Sequence, residues 1–234
     1  TIYNAFYRPE NMVLVVCGDF IPEKIIEKLK TMITMESENS NIERVYNEEP
    51  KEIVEKYVEK KMSVSRPIVM IGYKDINYNE QKNVRNVGIS ILGNILFNKS
   101  TKLFENLYEN GKIISEPNFD YEFSKNYAHI LIQIKTNFVE EVVSEIEKSI
   151  EEIKKSGINQ EDFERAKKKI YGDFVKNYNE VSSIATDLVD NYFLGIGPFE
   201  HFDKFNNITK EYVENLLKEV FVGDKRVVSV IKPI

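Results

Sequence analysis

At 234 residues, 42% hydrophobic and 30% charged, the chain can bury a sizeable core as one large domain or a domain with a terminal piece. A net charge of −6 argues against a nucleic-acid footprint, and no apolar run nears the roughly 18 residues of a membrane span, so the expectation is a soluble, cytoplasmic protein. A single cysteine, Cys17, excludes an internal disulfide. A turn around Pro9 feeds the apolar run Val13-Leu14-Val15-Val16-Cys17, closed by Gly18-Asp19. This pattern reads as a strand buried on both faces, which requires a sheet that already exists. No initiator Met and no leader-like segment precede it. The chain therefore reads as a fragment of a longer polypeptide.

Pro22 opens a helix carrying Ile25, Ile26, Leu29, Met32 and Ile33. Residues 35–51 are polar and read as a linker. Residues 52–62 and 67–73 predict two strands, the second buried. Asn79 is placed to cap a helix running to Phe97, and Ser100 a shorter one ending at Asn110-Gly111. Strands over 119–124 and 127–135 meet at Lys125-Asn126 as a hairpin, with Ala128, Ile130, Ile132 and Ile134 on one face. The helix after Asn137 has its stripe at Val139, Val142, Val143, Ile146, Ile150 and Ile153, with Glu151–Lys155 paired on the wet side. Helices over 160–177 and 181–193 follow, then one capped by Thr209, and a strand over 225–231. Hairpin-adjacent strands and blocked helices predict an α+β fold, an antiparallel sheet flanked by helices.

The residues that carry chemistry elsewhere are scarce. His129 and His201 each lack a second histidine or cysteine nearby, and no His-x-x-x-His, His-x-x-Glu-His or Cys-x-x-Cys spacing occurs. Cys17 sits in an apolar run, where a thiol behaves as a small hydrophobe. Glu140-Glu141 and Glu151-Glu152 fall on the polar side of a helix, where a charge run is ordinarily a solvated face. Catalytic residues and metal ligands are thus assigned to none, and the substrate-binding residues are unknown.

Three segments carry a family resemblance. Tyr7-Arg8-Pro9-Glu10-Asn11-Met12-Val13-Leu14, continuing to Gly18-Asp19, resembles the "Y-x-P-x-N-M-x-L-x-x-x-G-D" segment of pitrilysin/insulinase-type zinc metallopeptidases, the inverzincins. Ser100-Thr101-Lys102-Leu103-Phe104-Glu105-Asn106-Leu107-Tyr108-Glu109-Asn110-Gly111 is similar to a helix of the family's second half, and residues 158–169 to its "I-x-x-E-x-F-E-R-x-K-K-K" helix start. The leanings resemble small bacterial zinc proteases. The resemblance implies an insulinase-like half-unit, with residues 1–40 ending the preceding zinc-bearing half, 41–51 linking, and 52–234 forming a second half without metal. It places the zinc, its ligands and the catalytic glutamate in that preceding half, so no cofactor is expected in this chain. An Arg and a Tyr that help many members bind substrate align here with Tyr108 and Ile114, so neither role carries over. The implied function is to enclose and position a peptide substrate for proteolysis by the N-terminal half. The alternative is a non-catalytic structural or assembly subunit of the same fold, and a third reading is an unrelated α+β binding domain. The expected partners are the peptide and the chain's own N-terminal half or a homologous subunit. The first strand, left alone, is expected to drive homodimer formation.

Overall fold

The computed structural model describes residues 2–33, 45–47, 49–78, 82–124, 126–197 and 199–234. In chain order the elements are α1 (Ile2–Phe6), α2 (Pro22–Met32), β1 (Tyr57–Met62), β2 (Ile68–Lys74), α3 (Lys82–Phe97), α4 (Lys102–Glu109), β3 (Asn118–Phe123) and β4 (Ala128–Lys135). They continue with α5 (Val139–Ser156), α6 (Gln160–Asn177), α7 (Val181–Leu194), α8 (Glu200–Phe205), α9 (Lys210–Val220) and β5 (Arg226–Pro233). Contacts divide them into two units, Thr1–Asn47 with Phe174–Pro198, and Glu48–Asp173 with Phe199–Ile234.

The second unit holds a five-stranded sheet of order β1-β5-β2-β4-β3. The β2–β4, β2–β5 and β3–β4 pairs are antiparallel, whereas β1 pairs with β5 in parallel. The expected α+β arrangement, an antiparallel sheet flanked by helices, is present, with β1–β5 as its one parallel pair. A hairpin forces its strands antiparallel, but β1 and β5 lie at opposite ends of the unit, so a long crossover leaves either direction open. Alternation sorts the side chains into two faces. Val69, Ile71, Tyr73, Ile130, Ile132, Ile134, Val228 and Val230 are buried on one. Ile68, Met70, Leu131, Gln133 and Ile231 are half-buried on the other.

Helices pack on the buried face. α3 is apolar nearly all round, with Val87, Ile89, Ile91, Leu92, Ile95, Leu96 and Phe97 buried, as a central helix should be. α5 buries Val142, Ile146 and Ile150 of its predicted stripe and ends at Gly157, whose φ of 79° favours glycine. α9 buries Val213, Leu216, Leu217 and Val220 and is capped as expected, Thr209 accepting from the Tyr212 amide at 3.2 Å. Tyr73 meets Phe221 edge-on at 4.8 Å, joining β2 to the end of α9.

Local details differ from the sequence reading. α4 is capped by Thr101, which accepts from the Phe104 amide at 3.2 Å, rather than by Ser100. Ser100 is instead occupied with Asn98 Oδ1, which accepts from both its amide and its hydroxyl. Glu151 pairs with Lys154 at 2.7 Å, not Lys155, because Lys154 also reaches the Phe221 carbonyl and so stays on that side of the helix. The expected cap at Asn79 and most of the polar stretch after Met35 lie outside the described residues.

In the first unit α2 begins at Pro22 as expected, and residues 12–17 form neither helix nor strand. Leu14 and Val16 are exposed and Val13, Val15 and Cys17 half-buried, so no side chain of this run is buried among the described residues. None of the described side chains of this unit is buried.

Candidate functional site

A cleft of about 560 Å³ opens between α3 and β3 in the second unit. α3 contributes Asn86, Ser90, Gly93 and Asn94, the strand contributes Asn118 through Tyr121, and Glu116 and Lys169 stand at the margins. The lining is rich in amides and hydroxyls, groups that both donate and accept. Gly93 brings helix and strand together. A Cβ there would stand 2.2 Å from the Phe119 ring, so only glycine permits this approach. Phe119 in turn stacks on Phe97 at 5.5 Å.

β3 is an edge strand, and its register shows which backbone groups are unused. The Ser124 amide donates to the Tyr127 carbonyl at 2.8 Å, closing the hairpin. Bonds alternate along an antiparallel ladder, so Asn118, Asp120 and Glu122 pair with β4 opposite Gln133, Leu131 and His129. The N–H and C=O groups of Phe119, Tyr121 and Phe123 therefore turn outward from the sheet. Their side chains are half-buried, while Asn118, Asp120 and Glu122 are exposed. An edge of this kind can accept an extended peptide as a further strand.

Behind the strand lies a buried ion cluster. Asp75 and Arg85 are each 3% exposed. Arg85 donates through Nε to Asp75 Oδ2 at 2.7 Å and through Nη2 to Oδ1 at 2.8 Å, a bidentate fork. Its Nη1 donates to Glu219 at 3.0 Å. The Asn77 amide donates to Asp75 Oδ1 at 3.1 Å, and its side chain to Glu219 at 2.8 Å. Tyr121 completes the set, its hydroxyl donating to Asp75 Oδ2 at 2.8 Å. Burial pulls the Arg85 pKa down, but Asp75 and Glu219 outweigh it and hold the guanidinium charged. Burial, then the Asp75 charge, pushes the Tyr121 hydroxyl well above its ordinary range, so it remains a donor.

The residues weighed from sequence are scattered. His129 is half-buried on the open face of the sheet, stacked on Tyr127 at 5.8 Å with Nε2 3.4 Å from Glu122. The side chain of His201 lies outside the described set. Cys17 is free and half-buried in the first unit. Glu141 is exposed and pairs with Lys112 at 3.0 Å. Tyr108 and Ile114 are exposed, Tyr108 stacking on Phe104. Among the described residues no three His, Cys, Asp or Glu side chains come together as a metal site, and no helix is long and apolar enough to cross a membrane. The cluster and the cleft were not foreseen. Arg85 in a helix rich in buried apolar side chains was the available signal, since a buried charge must be paired or functional.

Residues 1–170 match the family described as the peptidase M16 inactive domain. A Bacillus subtilis protein named uncharacterized zinc protease YmfH is 27% identical over 99% of the chain. Two crystal structures share the fold over essentially the whole chain. One is an M16-like protein from Alicyclobacillus acidocaldarius, at TM-score 0.91 and 22% identity over 100% of this chain. The other is a protease from Helicobacter pylori, at TM-score 0.87 and 21% identity over 99%. The chain spans 55% of the Bacillus protein and 57% of each crystallised chain.

Proposed function

The chain belongs to the peptidase M16 inactive-domain family, and from that premise we propose that it is the non-catalytic half of a zinc metallopeptidase that encloses an extended peptide and presents it to the catalytic half. The observation that carries this reading is the free edge of β3 above the cleft. Three alternate residues, Phe119, Tyr121 and Phe123, turn outward backbone donors and acceptors that are unpaired among the described residues. Main-chain bonds to such an edge need no particular sequence, which suits a peptidase half that must hold varied segments. No described set of side chains here fits zinc; in this reading the metal, and the water it would acidify, belong to the other half.

The catalytic half also supplies what the first unit lacks. We place residues 1–40 as the completion of that half, residues 41–51 as the connection, and 52–234 as the non-metal half. Supporting this is the apolar run 12–17, which finds no strand partner among the described residues, and the lack of any buried side chain among the described residues up to 33. An unpaired apolar strand otherwise recruits a second copy, which would give the homodimer.

The edge is tested by titrating a labelled unstructured peptide into the whole chain and into Phe123→Pro. Proline at this outward position removes a docking N–H while taking no bond from the β4 ladder. Saturable binding that weakens in the variant supports the reading. Equal binding by both proteins contradicts it.

A further inference from the structure

The docking reading makes no use of Asp75, Arg85 and Glu219, yet their cluster grips the strand on which that reading depends. We propose that Tyr121 is a positioning residue of the docking edge, its hydroxyl tied to the buried Asp75–Arg85 pair so that β3 stands at one fixed distance and register from α3. This role deepens the peptide-docking function proposed above and rests on it for its consequence.

Three observations support it. Tyr121 is the middle of the three residues whose backbone faces outward, so the anchor sits beneath the centre of the exposed edge. Its neighbours on the same face hold by ring packing alone, Phe119 on Phe97 at 5.5 Å and Phe123 on Tyr121 at 5.5 Å. Ring contacts tolerate sliding, whereas a hydrogen bond of 2.8 Å to Asp75 is directional and weakens steeply when displaced. Asp75 is itself immobilised by the Arg85 fork and the Asn77 amide, and Arg85 is tied to α9 through Glu219. The strand is therefore referenced to α3 and α9 as well as to β4. The Asp75 bonds to Arg85 and Asn77 survive loss of the hydroxyl, so the fold does not depend on it.

The test is Tyr121→Phe in the whole chain, read by amide exchange and peptide affinity, with Asp75→Asn as the second variant. The Asp120 and Glu122 amides, paired to β4, should exchange about tenfold faster, the scale of one lost hydrogen bond. Amides of β1, the opposite edge, should be unchanged. Affinity for the labelled peptide should fall about tenfold on the same ground. Unchanged exchange in β3, or equal acceleration in β1 and β3, overturns the role, the latter because it reports general destabilisation. So does a Tyr121→Phe protein that binds peptide as tightly as the wild type. A wild-type chain that binds no peptide removes the docking function instead, and exchange still decides whether Tyr121 positions the strand.

Discussion

Gly93 sets how closely α3 approaches the edge strand, and its replacement is the sharpest residue-level probe of the cleft. Alanine in place of glycine gains about 1 kcal/mol of helix propensity. The new Cβ, however, would overlap the Phe119 ring at 2.2 Å, and overpacking of this kind costs about 1–3 kcal/mol. Gly93→Ala should therefore lower the melting temperature, and a rise would show that β3 yields freely. Arg85→Met should be costlier, about 3–5 kcal/mol, because it strands the Asp75 carboxylate in a site 3% exposed. Urea denaturation reads this directly. Tyr73 predicts an alkaline transition. Burial raises its pKa from the usual 10 to about 12, so the fold prefers the neutral phenol. The corresponding stability is fully present below pH 10 and is lost as pH rises through about 12. Tyr73→Phe should flatten the fall in stability between those values, and an unchanged profile would contradict the assignment.

At the scale of elements, what could be read in the sequence were the periodic segments with local stop signals. α5 shows why. Its stripe has an apolar residue at every turn and a glycine at its end, and Val142, Ile146 and Ile150 are buried as that pattern requires. Ile146→Asp should abolish cooperative unfolding, since an unpaired charge would enter a fully buried site. A folded variant with the wild-type melting temperature would contradict the packing. What could not be read were features set by distant partners. The parallel β1–β5 pair joins residues about the length of the unit apart. Tyr121 and Asp75 are separated by 46 positions, and Arg85 and Glu219 by 134. No local pattern announces such meetings. The apolar run 13–17 reads as a strand in composition, but it forms no strand in the structure and none of its side chains is buried.

The whole molecule joins a unit with its own core to one whose described side chains are all at least partly exposed, and that contrast organises the functional account. Deleting residues 1–40 should leave the second unit cooperatively folded and abolish association through the extended run, which light scattering and thermal melting would report together. The family match is to an inactive domain, and the chain spans little more than half of its relatives, so the proposed function is tested on a pair of halves. The most direct measurement is peptide cleavage by the upstream half that the proposed function requires, produced separately, with and without this chain. Cleavage that depends on both, and that Phe123→Pro in this chain weakens, is the predicted result. An upstream half that cleaves equally well alone, or a mixture that cleaves nothing, would contradict the claim that this chain presents the peptide.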